Sequence, residues 1–139
     1  MSNLITTNEG ELELLDKMMK DALDTDESYI LRLFNNDHTP AAASTSTDFT
    51  ACTFTGYTDM TLPRASWGSA TTVSNKASAT YGTAQSWTCG STGDSCYGYV
   101  VLGATSNKAL WAQRWDSVIN LTSNDQLSFT PVFTLNSEN

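Results

Sequence analysis

Charge is what this sequence has least of: charged residues make up 16% of its 139 positions, and only seven are Lys or Arg. Fifteen Asp and Glu bring the net charge to −8. An acidic chain without a basic stripe has no electrostatic footprint for nucleic acid, and phosphates repel it. Anionic membrane surfaces are excluded on the same ground. No run of about 18 apolar residues occurs, so no segment is expected to span a membrane. The N-terminus, "MSNLITTNEGELELL", lacks the basic start and apolar stretch of a secretory signal. The expectation is a chain made and folded in the cytosol.

Histidine is nearly absent as well. His38, in "NNDHTP", is the only one. The adjacent Asp37 would point away from it on an extended chain, so a hydrolytic triad is not expected. No serine elbow of the G-x-S-x-G type, phosphate-cradling glycine loop or dinucleotide fingerprint occurs. Of the three cysteines, Cys89 and Cys96 enclose six residues, wider than a zinc knuckle, and no second close pair completes four ligands. Cys52 reads as a small core residue. "DTDE" at residues 24–27 begins like a calcium loop but lacks its glycine and closing glutamate. Acidic residues cluster in the N-terminal segment, which argues against paired carboxylates for glycoside chemistry. The expectation is a non-enzyme with no metal and no cofactor.

What is abundant is Ser and Thr, about a quarter of the chain, with aromatics at 10%. Thr, Tyr, Phe and Trp suit the half-buried, pleated surface of a sheet. The charge is uneven: residues 1–48 hold ten acidic and three basic side chains, a balance of −7, and residues 49–139 hold five and four, a balance of −1. Within the acidic part Leu12, Leu15, Met19 and Leu23 recur at helical spacing, which predicts a helix of about 15 residues. Asn8 is its expected N-cap, with Glu11 completing a capping box. Such a helix is marginal alone and must dock, on its own domain or on a neighbour.

From Ser28 the period changes to two. "SYILRLFN", "CTFTGYTDMTL", "WGSATTVS", "ASATY", "QSWTC", "CYGYVVLG", "ALWAQRW" and "QLSFTPVFTL" read as strands. "HTPAAASTSTDF" is a long loop, and "SNK", "TSNK" and "SND" mark turns. In the last strand Leu127, Phe129, Pro131, Phe133 and Leu135 share one face, and Pro131 argues for an edge or bulge. The predicted architecture is mainly β, an antiparallel β-sandwich or jelly-roll-like domain over 28–139, preceded by an N-terminal arm and helix over 1–27.

"CGSTGDSCYGYVVLGA" reads as a hairpin in which Gln85–Cys89 turns into Cys96–Gly103, with Gly90 and Gly93 free to take positive φ. Its thiols would face each other, so a Cys89–Cys96 disulfide is the candidate bond in an oxidising medium, though not in a reducing cytosol. Trp67, Trp87, Trp111 and Trp115 all fall in strand-like runs. They fill a core or a subunit interface, or, if exposed and coplanar, form a sugar-stacking platform for host attachment.

The order of segments carries a resemblance. The helix "LLDKMMKDAL" is followed by "YILRLFNNDHTP" and "DFTACTFTGYTDMTL", then by "SWTC", "YGYVV", "LWAQRW" and the closing "LSFTPVFTL". This order resembles that of small virion structural proteins of tailed bacteriophages. The resemblance implies a sandwich subunit of the particle that decorates and cements the capsid shell, with the major capsid protein and further copies of itself as partners. A tail, baseplate or head-fibre subunit is the alternative. The expected grip on the shell or on a neighbouring copy is the segment Leu4 to Leu23 or the loop His38 to Thr47. Its candidate residues are Leu4, Leu12, Leu15, Met19, Leu23, His38 and Pro40.

Overall fold

The computed structural model describes residues 4–19 and 28–135. They form a mainly β, antiparallel sandwich with one short helix. The strands are β1 (Leu4–Thr6), β2 (Ser28–Phe34), β3 (Met60–Pro63), β4 (Thr71–Val73), β5 (Lys76–Thr80), β6 (Gln85–Thr88), β7 (Asp94–Gly103), β8 (Ala109–Leu121), β9 (Gln126–Phe129) and β10 (Val132–Leu135). The helix α1 spans Asn8–Met19.

One layer is a five-stranded sheet in the order β1-β8-β7-β2-β3. Its central strand β7 shows no alternation, because both faces of this sheet are covered. Tyr99 and Val101 join the core between the layers, while Val100 and Leu102 pack with Phe34, Phe49 and Ala112 on the far side. A strand buried on both faces reads as a continuous apolar run rather than an alternating one. The loop "HTPAAASTSTDF" supplies part of the far-side cover: Pro40, Ser44 and Phe49 are buried, and the Phe49 ring stands edge-on to Phe34.

The second layer is built from two ladders, β10-β5-β4 and β6-β9. They run on as one ribbon, because the Tyr81 N–H donates to the Pro131 carbonyl at 2.9 Å between them. The expected last strand is therefore cut in two at Thr130–Pro131, where proline has no N–H to give a ladder. Phe129 and Phe133 still point into the core, against Trp115 and Trp111 respectively. Leu135, expected on that face, is 54% exposed because the ribbon has run past the body.

Several expectations are corrected. "CTFTGYTDMTL" is a strand only at Met60–Pro63, and the stretch before it turns at Gly56, φ 93°. β8 extends well beyond "ALWAQRW", and four residues, Trp115 to Val118, bulge out opposite Tyr97 alone. "CGSTGDSCYGYVVLGA" is not a hairpin: β6 pairs with β9, whereas β7 pairs with β2 and β8, so the turn crosses between layers. Gly90 and Gly93 do not take positive φ. Gly93 is there because a Cβ would stand 2.1 Å from the Leu121 carbonyl oxygen.

The helix is also anchored differently. Thr7, not Asn8, caps it: the Gly10 N–H donates to Thr7 Oγ1 at 2.9 Å, and that hydroxyl donates to the Ala109 carbonyl. Glu9 accepts the Ala109 N–H at 2.8 Å. The face turned to β8 carries Gly10, whose missing Cβ would lie 2.1 Å from the Leu110 carbonyl oxygen. Leu12 is on the opposite side of the helix and is 67% exposed, so the expected leucine stripe does not face the sheet there. With β1 paired to β8, the arm over residues 4–14 docks on its own domain.

Candidate functional site

The tryptophans are core material. Trp87 and Trp111 are buried, and Trp67 and Trp115 are half-buried. Trp111 packs on Phe133 with ring centroids 4.3 Å apart, and Trp67 meets it edge-on at 73°. Neither half-buried indole is stacked flat on another tryptophan: Trp67 and Trp111 meet at 73°. Together with Leu14, Tyr29, Arg64, Ala79 and Phe133 these two rings line a largely apolar cavity of about 190 Å³. The indole N–H groups of Trp67 and Trp111 are buried without a hydrogen-bond acceptor, and both rings stand edge-on to neighbouring π faces. Such arrangements set the positive edge of one ring against the negative face of another.

His38 does meet a hydroxyl: its Nε2 lies 3.0 Å from Ser44 Oγ. That oxygen accepts the Ala41 N–H at 3.0 Å and is buried, while the imidazole packs edge-on against Phe49. Asp37 pairs with Arg114, so it does not orient the imidazole. The contact closes the loop that carries both residues. Two other carboxylates also serve turns. Burial alone would raise the Asp94 pKa. The N–H groups of Thr53 and Ser95, the Asn35 amide and the Thr53 hydroxyl outweigh that and hold it below the ordinary carboxylate range. Asp125 is lowered by the N–H and hydroxyl of Thr122.

All three cysteines are free and buried. The structure places Cys96 against Cys52, with the sulfur atoms 3.0 Å apart, and turns the Cys89 thiol to the carbonyls of Gly90 and Thr92. Cys96 thus faces Cys52 rather than the expected Cys89, which follows β6, a strand that pairs with β9 and not with β7.

Of the candidate grip residues, the four whose side chains are described, Leu4, Leu12, His38 and Pro40, stand in different surroundings. Leu4 is half-buried and lines a groove of about 420 Å³ with Tyr99, Gln113, Trp115 and Phe129. Pro40 is buried and His38 is held by Ser44. Leu12 is exposed. Leu15 and Met19 belong to α1, but their side chains, like the whole of Leu23, lie outside the described residues.

Among the described residues, the longest exposed stretch lies elsewhere, in a tongue that sequence reasoning did not single out. Every residue from Gly68 to Ala77 is exposed. Ser74 and Asn75 take φ of 51° and 65°, the two positive values a tight I′ hairpin needs, and join β4 to β5 at the Val73–Lys76 pair. β10 pairs with β5 on the other side, out to Leu135 opposite Ala77. Among the described residues, no strand pairs with the outer edge of β4. Val73 and Leu135, 56% and 54% exposed, are two of the four large apolar side chains left in solvent among the described residues. The sole charge between Gly68 and Ala77 is Lys76. Natural edges are usually blunted by charge, proline or a covering element. β4 itself carries neither charge nor proline, and the lysine lies on its inner neighbour β5.

No protein-family model matches the chain, and no curated protein matches its sequence.

Proposed function

We propose that this protein is a structural, non-enzymatic subunit of a tailed-phage particle that decorates the head shell in many copies. It binds the major capsid protein and neighbouring copies of itself. The observation that carries the reading is the tongue: a nearly uncharged, three-stranded extension whose outer edge pairs with no other described strand, with Val73 and Leu135 exposed. A bare edge of this kind is a template for main-chain pairing with another chain. The resemblance in segment order supports the same reading, and so does the use of His38, Ser44 and the carboxylates in loop closure. Small contacts repeated over a shell hold by avidity even when each is weak.

Co-sedimentation tests it. Virions are purified from the lysate in which the chain is made, and its copy number is measured against the major capsid protein. Hundreds of copies per particle are expected. A handful would assign it to the tail or baseplate, and none would remove the reading.

A further inference from the structure

Cys52 and Cys96 lie far apart in sequence, at a separation of 44 residues, yet their sulfur atoms are 3.0 Å apart in the core. Two thiolates sharing a zinc ion at bonds of about 2.3 Å would stand roughly 3.8 Å apart, and a disulfide bond is about 2.05 Å. The observed spacing is too short for a shared metal and needs only a small approach for a covalent bond. Both ends are fixed by backbone. Cys96 sits in the central strand β7, and the Cys52 N–H donates to the Leu33 carbonyl at 2.9 Å, tying its segment to β2.

We infer that Cys52 and Cys96 form an oxidation site, closed to an intrachain disulfide by a disulfide oxidant such as oxidised glutathione, while Cys89 remains a thiol. In the first step the Cys52 thiolate attacks one glutathione sulfur, the glutathione S–S bond breaks, and a glutathione thiolate leaves. In the second, the Cys96 thiolate attacks the Cys52 sulfur of the mixed disulfide and expels the other glutathione. The two cysteine protons end on the two glutathione thiols. The protein pair is oxidised by two electrons and glutathione disulfide is reduced by two. Closure is slow in the native chain, because Cys52 is 3% exposed and Cys96 fully buried. The contact with Cys96, and then burial, push the Cys52 thiol well above its ordinary pKa, which keeps the attacking thiolate scarce. The inference does not depend on the proposed role in a particle.

The test uses the full native chain, incubated with oxidised glutathione, quenched in acid, then denatured and alkylated for intact mass and peptide mapping. The expected product has lost the mass of two hydrogens, joins the Cys52 and Cys96 peptides, and carries one alkyl group, on Cys89. Its Tm should exceed that of the reduced chain by roughly 10 °C, as expected for a cross-link closing a long loop. Cys89→Ala should still cross-link, and Cys96→Ala should leave Cys52 alkylated. If either variant fails to fold, the wild-type map decides alone. A chain unfolded before oxidation favours the short Cys89–Cys96 loop instead, so the Cys52–Cys96 product reports the native fold. Three alkylated cysteines after oxidation, or any native cross-link that includes Cys89, would overturn the inference.

Discussion

Tyr99 shows how a single core residue ties this fold to pH. Its ring packs on Phe129 and its hydroxyl donates to Gln113 Oε1 at 3.1 Å, with 4% of the residue exposed. Burial pushes its pKa from 10.0 up to about 12. The unfolded chain therefore releases this proton near pH 10, while the folded chain keeps it until about 12. Between those values the folded state binds more protons, and stability falls as pH rises. The stabilising contribution is complete below pH 10 and roughly 2–3 kcal/mol of it is gone by pH 12. Tyr57 acts in the same direction, raised by burial and then by its hydrogen bond to Asp59. Urea midpoints taken at half-unit steps from pH 9 to 12 should fall steeply for the wild type and less steeply for Tyr99→Phe. Equal slopes would mean that Tyr99 is not held protonated by the fold. Sequence placed Tyr99 in a strand, but its burial depends on Phe129, which arrives from the other layer.

At the scale of elements, legibility followed how local the cause was. β2, the three turns and the β4–β5 hairpin were readable because apolar runs and Asn–Gly–Ser punctuation act over a few residues. The cap at Thr7, the glycine at position 10 and the crossing at residues 89–93 were not, because each answers to β8 or its end. Gly10 reads in sequence only as a weak helix former, whereas its cause is the Leu110 backbone. The tongue was missed for a related reason: small Thr, Ser and Ala strands look alike whether covered or bare. Its role can be separated from its folding. Val73→Lys and Leu135→Lys alter side chains that already face solvent, so the unfolding free energy from urea titration should change by less than about 0.5 kcal/mol. Particle occupancy in the co-sedimentation assay should nevertheless drop at least about tenfold for the double variant, the loss of about 1.4 kcal/mol per contact multiplied over neighbours. Full occupancy with an unchanged midpoint would move the contact off the tongue. Deleting residues 1–24, by contrast, would strip β1 and the Thr7 cap from β8, and a lost interaction could not be told from lost structure.

At the scale of the whole molecule, two surfaces compete to carry the contact that the proposed role requires, and their charge separates them. The first 48 residues carry a balance of −7, and the tongue between Gly68 and Ala77 carries one lysine. A docking contact through the acidic part needs a basic partner surface, and its attraction is screened over a Debye length of about 10 Å at 0.1 M salt. A contact through the tongue rests on main-chain pairing and on Val73 and Leu135, which salt leaves largely intact. In the proposed arrangement neighbouring copies, each at −8, would repel one another, and salt would weaken that repulsion too. Occupancy measured between about 0.05 and 0.5 M NaCl should therefore stay level or rise slightly if the tongue is the contact. A tenfold fall over the same range would assign docking to the acidic N-terminal part. It would also leave the outer edge of β4 for pairing between copies.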